Sequence, residues 1–203
     1  MNNNAFIIFE GGEGCGKTTQ AKALSNKLRE LGFPVVLTHE PGGTLLGNRL
    51  RRWLKWGRGV TLQTELLLFL ASRSQLVTNV IRPALEKGNI VICDRYDAST
   101  FAYQGYGRGM DLDFLKTVNS FVTDGLSPEL IVLLDVPAEE GLARKKMKLD
   151  VFEREEFLFH QKVRKGYLKM AADDPEHWMV IDATLPEVKI RDIIWERVSQ
   201  LLG

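Results

Sequence analysis

An apolar run that leads directly into a glycine-rich, cationic loop constrains this chain more than any other feature. Residues 5–10 (AFIIFE) are apolar up to the last position, which predicts a buried strand. Residues 11–18 (GGEGCGKT) fit the pattern G-x-x-x-x-G-K-[ST], and residues 19–28 continue with helical periodicity. Glycines let the backbone N–H groups turn inward, and a helix N-terminus adds positive charge. The stretch therefore predicts a phosphate-binding loop rather than a chance glycine-rich turn.

The loop offers two functional side chains in addition to its backbone. We expect Lys17 to reach the β- and γ-phosphates of a bound triphosphate, and Thr18 to ligate the Mg²⁺ that bridges them. As a loop residue, Lys17 is predicted to be exposed. The predicted triphosphate-binding residues are Gly11, Gly12, Glu13, Gly14, Cys15, Gly16, Lys17 and Thr18.

Length and composition narrow the class of protein. A chain of 203 residues is long enough for one domain with a continuous core. Its 27 basic and 26 acidic residues nearly cancel, and Cys15 and Cys93 show neither metal-ligand spacing nor a disulfide framework. The sequence has no signal-peptide pattern and no apolar run of membrane-spanning length. We therefore expect a cytoplasmic protein with small-molecule partners, without nucleic acid or membrane.

Further apolar runs alternate with segments of helical periodicity along the chain. Buried strands are predicted at residues 35–38, 90–93, 130–135 and 179–182. Helices are predicted at residues 17–31, 44–55, 62–80, 83–88, 111–123 and 186–202, and a loop or irregular helix start at 97–109. The alternation indicates an α/β protein, with a parallel sheet covered by helices on both faces. In such sheets ligands bind beyond the carboxyl ends of the strands.

Charged and aromatic residues gather at this predicted edge of the sheet. The strand at 90–93 ends in Asp94 and Arg95, and guanidinium groups such as those of Arg95, Arg73 and Arg51 suit a monophosphate. Two phosphate sites at one edge indicate transfer between them. Phe69 lies one helical turn before Arg73, so the pair is suited to stacking on a base and bonding its edge. The alternatives are that Phe69 is a core residue, that Arg73 forms a structural ion pair and that Arg51 belongs to a solvated helix face.

Residues 92–104 (ICDRYDASTFAYQ) resemble the signature of thymidylate kinases, which phosphorylate dTMP to dTDP with ATP. The resemblance extends over nearly the whole chain, including the segments EPGGT at 40–44, LDVP at 134–137 and IDA at 181–183. It implies one domain over residues 1–203, with the P-loop fold of nucleoside monophosphate kinases and a five-stranded parallel sheet. It also implies ATP as phosphoryl donor, Mg²⁺ as cofactor and a role in dTTP biosynthesis.

The resemblance assigns roles to individual residues. It implies that Phe69 stacks on thymine, Arg73 bonds the thymine edge and Arg95 holds the acceptor phosphate. It also implies that Thr100 and Gln104 complete base recognition, that Glu13 meets the sugar 3′-hydroxyl and that Tyr103 crowds the sugar 2′ position. It places Asp94 with Thr18 at the metal. The full set implied for substrate binding is Glu13, Glu40, Arg51, Phe69, Arg73, Arg95, Ser99, Thr100, Tyr103 and Gln104. The chain departs from the pattern in three places. His39 stands where bacterial members commonly have arginine, the segment at 143–153 is about two residues shorter, and Val151 stands where bacterial members often have arginine.

A run of cations at residues 144–148 (RKKMK) resembles the basic lid of bacterial members. We expect a lid at about 143–153 whose Arg144 and Lys148 join Lys17, Arg95 and Asp94 as catalytic residues. A solvated helix face is the alternative for such a run. The family resemblance also implies a homodimer formed through the long helix at 62–80, and burial of that helix within its own chain is the alternative.

Two other functions are compatible with a phosphate loop. One is a kinase for another pyrimidine monophosphate or for a deoxynucleoside, which the residues Thr100, Tyr103 and Gln104 disfavour. The other is a nucleotide-dependent switch protein, which would need no second phosphate site beside a base-stacking aromatic. Stimulation of ADP release by nucleoside monophosphates distinguishes these functions.

Overall fold

In the computed structural model, which describes residues 4–57, 59–144 and 156–203, five parallel strands form one sheet. The strands are β1 (Phe6–Glu10), β2 (Val35–His39), β3 (Ile90–Asp94), β4 (Leu130–Asp135) and β5 (Trp178–Asp182), arranged in the order β2-β3-β1-β4-β5. Strand β1 therefore lies at the centre, between β3 and β4. The chain passes from one side of β1 to the other after β3, so the loop that follows β1 opens at the point where the strand order reverses.

Helices cover both faces of the sheet, as the buried strands predict. Ile7 and Phe9 point to one face, where they pack with α1 (Lys17–Glu30) and α9 (Glu187–Leu202). Phe6 and Ile8 point to the other face, where they meet the helical segment around Leu76. Because successive strand residues alternate between faces, each strand needs apolar residues throughout.

The first two helices begin and end where the local sequence indicates. Gly16, with a φ of 93°, precedes α1, and Gly32, with a φ of 87°, follows it in the left-handed conformation. Helix α2 (Leu45–Trp56) begins after Thr44, whose hydroxyl accepts a hydrogen bond from the Gly47 N–H at 3.0 Å. The predicted bounds of both helices are confirmed within one residue at each end.

The short helix predicted to begin at Pro83 begins one residue earlier, at Arg82, but the predicted interruption between it and the preceding helix is wrong. Helix α3 (Leu62–Leu76) continues through a π-helical segment (Val77–Ile81) into α4 (Arg82–Glu86), so residues 62–86 form one helical run. The backbone N–H of Arg82 bonds to the carbonyl of Val77, five residues earlier. Pro83 lacks an N–H group, and its ring would clash with the preceding turn of a regular α-helix. The wider π-helical segment lies just before it and gives the ring room, so the helical run continues.

The region between β3 and β4 is also more helical than a loop. It contains α5 (Asp97–Thr100), a π-helical segment (Phe101–Gly107) and α6 (Leu112–Thr123). The irregular helix start that the sequence allowed at 97–109 is therefore confirmed, and the loop alternative is wrong. The helical geometry directs Ser99, Thr100, Tyr103 and Gln104 toward the carboxyl edge of the sheet.

After β4 come α7 (Ala138–Ala143) and α8 (Phe157–Asp173). Most of the predicted lid, including Lys148, lies outside the described residues. Among the helices that the structure describes, none is long and apolar enough to cross a membrane.

Candidate active site

A cavity of about 760 Å³ opens at the carboxyl ends of β1, β2 and β3. All the predicted site residues in the described ranges line it, apart from Gly11 and Gly12. The phosphate loop, the end of β2 and the helical segment after β3 therefore face one space. The rule that ligands bind beyond the carboxyl ends of parallel strands predicts this arrangement.

Lys17 is buried, contrary to the prediction that it is an exposed loop residue. Its side chain is 7 % exposed, and its ammonium donates to the carbonyls of Gly11 at 3.0 Å and Gly12 at 2.7 Å. The Cys15 sulfur lies 3.3 Å from the same nitrogen. The loop therefore holds the cation against its own backbone, at the wall of the cavity. The prediction failed because the loop curves around this side chain, which sequence spacing does not show.

Thr18 and Asp94 lie in direct contact, with the Thr18 hydroxyl donating to a carboxylate oxygen of Asp94. Asp135, at the end of β4, instead accepts two hydrogen bonds of 2.7 Å from Arg164. Within the described ranges, no three His, Cys, Asp or Glu residues are grouped as metal ligands. A hydroxyl beside one carboxylate nevertheless fits Mg²⁺, which commonly takes one or two protein oxygens, substrate phosphates and water.

Arg95 occupies the centre of the site in a strained backbone conformation. Its φ of 71° is left-handed, which is uncommon for a residue other than glycine and is concentrated at functional sites. Its guanidinium donates to oxygens of Gly11 (3.1 Å), Glu13 (2.6 Å), Ser99 (3.2 Å), Tyr103 (3.2 Å) and Tyr167 (3.3 Å). These contacts fix the direction of a fork-shaped cation that suits a phosphate.

Glu10, the last residue of β1, anchors the backbone that follows the strained residue Arg95. Its carboxylate accepts the N–H groups of Tyr96 at 2.8 Å and Ser99 at 3.2 Å. It also accepts the hydroxyls of Ser99 at 2.7 Å and Tyr167 at 2.8 Å. Burial raises the pKa of the Glu10 carboxyl, and the charge of Arg95 and these hydrogen bonds oppose the rise. Glu10 thus holds the segment that presents Arg95.

Arg73 lies on the same wall and is almost fully occupied by protein contacts. It is 1 % exposed, and its Nε donates to Glu40 at 2.9 Å. Its two Nη atoms donate to Asn119 at 2.9 Å and to the Tyr96 carbonyl at 3.0 Å. Nη2 also lies 2.8 Å from Glu40. Since a guanidinium carries five N–H donors, these contacts leave one of them, on Nη1, for a ligand. Burial raises the pKa of the Glu40 carboxyl, and the attraction of Arg73 opposes that rise.

The turn after β3 brings the predicted base- and sugar-binding residues together. The hydroxyl of Tyr103 donates to Glu13 at 2.7 Å, so the two residues implied to meet the sugar touch each other. Thr100 and Gln104, one helical turn apart, are both buried and line the cavity beside Phe69 and Arg73. The side-chain nitrogen of Gln104 donates to Glu65 at 2.9 Å.

Comparison with known proteins gives the family of this chain. The family model described as thymidylate kinase matches residues 9–194. The chain belongs to the thymidylate kinase family. The thymidylate kinase of Dehalococcoides mccartyi strain CBDB1 is 53 % identical over 201 residues, which cover 98 % of this chain and 97 % of that protein. The thymidylate kinase of Thermomicrobium roseum is 48 % identical over 200 residues, covering 97 % and 95 %.

A solved structure gives the same answer for the fold. The crystal structure of thymidylate kinase from Ehrlichia chaffeensis has a TM-score of 0.80 and 34 % sequence identity, and it covers 96 % of this chain and 98 % of that one. The five-stranded, P-loop fold predicted from the sequence is therefore confirmed.

Within this family site, the other predicted cations differ in their surroundings. Arg51 donates to the Pro41 carbonyl at 2.8 Å and lines the cavity, so the alternative of a solvated helix face is wrong for Arg51. Arg144 donates to the Ala183 carbonyl at 3.0 Å and also lines the cavity. His39, which stands at the end of β2, has a pKa lowered by burial and by the neighbouring Arg51.

Several residues that support the site were missed by the sequence analysis, namely Glu10, Glu65, Asn119 and Tyr167. Glu10 carried a usable signal, because an acidic residue ends the apolar run of β1. Tyr167 carried none, because it is 72 positions from Arg95 in sequence and reaches it only through the packing of α8. A contact of this kind appears only when the helices are assembled.

Proposed function

We propose that this chain transfers the γ-phosphoryl group of ATP to dTMP, in line and with Mg²⁺, inside the cavity described above. Membership of the family makes the chain a nucleoside monophosphate kinase, an ATP:dTMP phosphotransferase. One observation carries the assignment of residues. The phosphate loop with Lys17 and the fixed guanidinium of Arg95 line the same cavity, which supports a donor phosphate and an acceptor phosphate in one space.

The donor end is built from the loop, Lys17, Thr18 and Asp94. The backbone N–H groups and the N-terminus of α1 would cradle the phosphates, and Lys17 would move from the loop carbonyls onto the β- and γ-phosphates. Thr18 and Asp94 would hold Mg²⁺, which would offset the negative charge on the phosphate oxygens of ATP during transfer. The lid is part of the same proposal, with Arg144 and Lys148 supplying further cations when it closes.

The acceptor end is built around Arg95. Its guanidinium would hold the dTMP phosphate, Phe69 would stack on the base, and Glu13 with Tyr103 would face the sugar. A phosphate dianion is already a nucleophile, so the reaction needs no strong general base. Alignment and positive charge then account for most of the catalysis.

Assaying a panel of nucleoside monophosphates as phosphoryl acceptors tests this function. We expect ADP release from ATP to be stimulated most by dTMP, less by dUMP, and negligibly by dGMP or dAMP. The pyrimidine selectivity follows from the wall of the cavity formed by Phe69, Thr100 and Gln104, which would read a pyrimidine by stacking and by hydrogen bonds to its edge. Equal kcat/KM for dTMP and dGMP would overturn the specificity. If no nucleoside monophosphate stimulates ADP release above hydrolysis, a nucleotide-dependent switch becomes the better account.

The metal site can be tested at Asp94. We expect Asp94→Asn to raise the Mg²⁺ concentration for half-maximal turnover by about tenfold and to lower kcat, because an amide is a weaker ligand for a hard cation. The measurement is a Mg²⁺ titration of kcat at saturating ATP and dTMP. The matched variant Asp135→Asn alters the carboxylate that binds Arg164, and it should leave the Mg²⁺ dependence unchanged. Wild-type Mg²⁺ dependence in Asp94→Asn would remove Asp94 from the metal site.

We also propose that the chain forms a homodimer through α3 and α6. These helices contact each other, yet Leu67, Phe114 and Phe121 on them remain 63 %, 55 % and 86 % exposed. Such large apolar side chains on adjoining helices are typical of an interface. Sedimentation at micromolar concentration should give twice the 23.0 kDa chain mass, and Phe121→Asp should shift it toward one chain. A single-chain mass for the unaltered protein would contradict the dimer.

A further inference from the structure

Behind the base-recognition wall lies a buried carboxylate that faces Gln104. Glu65, on α3, is 7 % exposed, and Gln104 is 2 % exposed. The side-chain nitrogen of Gln104 lies 2.9 Å from Oε1 of Glu65. The two residues are 39 positions apart and come together only because α3 packs beside the π-helical segment after β3. Glu65 itself is absent from the residues that line the cavity, whereas Gln104 lines it.

The chemistry of this pair determines which way the Gln104 amide points. An ionised carboxylate only accepts hydrogen bonds, whereas an amide has an NH₂ group that donates and an oxygen that accepts. Only the NH₂ group can therefore face Glu65. The guanidinium of Arg108 lies 3.7 Å from the second oxygen of Glu65, so this carboxylate has a cationic partner on its other side. If the amide oxygen of Gln104 pointed toward Glu65 instead, it would face a carboxylate oxygen, and two acceptors would meet with no proton between them. Leaving buried polar groups unpaired in this way costs folding free energy.

We propose that Glu65 is a specificity-determining positioning residue, which fixes Gln104 so that its amide oxygen faces the acceptor base. This inference rests on the proposed function. It gives the wall a defined hydrogen-bonding pattern, with an acceptor from Gln104 beside the one N–H donor of Arg73, on Nη1, that its contacts with the protein leave over. Thymine presents N3–H as a donor and O4 as an acceptor, and both match. Cytosine presents an unprotonated N3 and a 4-amino group, so both contacts would be mismatched.

The mismatch accounts for discrimination that shape alone does not supply. Thymine and cytosine have similar ring sizes, and stacking on Phe69 distinguishes them only weakly. When a base with the wrong hydrogen-bonding pattern enters, buried donors and acceptors of the site are left unpaired, and such sites reject the wrong base strongly. An amide free to rotate would remove one of the two mismatches, because its NH₂ group could turn to donate to N3 of cytosine, and the 4-amino group opposite the donor of Arg73 would be the only mismatch left. The carboxylate behind Gln104 prevents that rotation.

The test is the ratio of kcat/KM for dTMP to that for dCMP in Glu65→Gln. Glutamine keeps the size of the side chain but can donate as well as accept, so the Gln104 amide is free to turn over. We expect the ratio to fall by about tenfold or more, through a rise in kcat/KM for dCMP together with a smaller loss for dTMP. KM for ATP should not change, because Glu65 is absent from the cavity wall and its hydrogen bond goes to Gln104 rather than to the phosphate loop.

Glu65→Asp is the conservative comparison, because its carboxylate still only accepts. It should retain more of the dTMP preference than Glu65→Gln, even if packing lowers both rates. A residue with only a structural role would lower kcat/KM for both acceptors by the same factor in both variants. An unchanged ratio in Glu65→Gln would therefore overturn the inference while the unaltered protein still prefers dTMP. Failure of the unaltered protein to phosphorylate dTMP would instead overturn the proposed function.

Discussion

Replacing Lys17 with methionine should lower kcat by about 10²–10³-fold, on the scale of losing one preorganised donor to the transferring phosphoryl group. Methionine keeps much of the length and apolar character of the lysine stem, so the change removes mainly the ammonium. The measurement is steady-state kcat at saturating ATP and dTMP. Because negative charge is shared among the phosphoryl oxygens during transfer, the effect should be larger on kcat than on KM for ATP.

The Lys17 variant also needs a stability measurement, because the ammonium bonds to the carbonyls of Gly11 and Gly12. Losing hydrogen bonds from a charged donor should cost about 1–3 kcal/mol of unfolding free energy, which a denaturant titration measures. Lys87→Met, at an exposed position after α4, is the matched control and should change neither quantity. Wild-type kcat in a folded Lys17→Met protein would contradict the assignment of Lys17 to the transferring phosphate.

Replacing Arg95 with lysine should lower kcat/KM for dTMP by about 10²–10³-fold, even though the charge is kept. The guanidinium fork reaches Glu13 and Tyr103 on one side and Gly11 on the other. An ammonium is a point donor that cannot bridge these groups and a phosphate at the same time. The measurement is the dependence of the rate on dTMP concentration at fixed ATP, where most of the effect should appear.

An arginine outside the site provides the control for this variant. Arg29 is exposed and donates to the Val35 carbonyl at 3.1 Å, so Arg29→Lys should leave both kinetic constants unchanged. If Arg95→Lys kept the wild-type KM for dTMP and the wild-type kcat, the acceptor phosphate would have to lie elsewhere in the cavity.

The strands and the loop that carries the phosphate site were predictable because they depend on short, local patterns. The bounds of β4 match the predicted residues 130–135. Five consecutive apolar residues followed by an acidic one are typical of a strand that is covered by helices on both faces and ends at the edge of the sheet. The helical run at 62–86 was predicted less well. Proline normally ends a helix, and the π-helical segment that lies before Pro83 has no clear sequence signal.

In the site too, the residues given by local sequence patterns were predictable, and those that depend on long-range packing were not. Residues at strand ends, such as Asp94 and Arg95, could be placed at the cavity because parallel strands present their carboxyl ends at one edge. The partners that hold these residues could not. Asn119 binds Arg73 from 46 positions away, and Glu65 binds Gln104 from another helix. Both contacts depend on how helices pack, so they were found only in the structure.

The most direct test of the central claim is identification of the reaction products. After incubation of the protein with ATP, Mg²⁺ and dTMP, ion-exchange chromatography or ³¹P NMR measures ADP, dTDP and inorganic phosphate. Transfer between the two phosphate sites predicts that ADP and dTDP appear in equal amounts, with little inorganic phosphate. ADP accompanied by an equal amount of inorganic phosphate, without dTDP, would contradict the account.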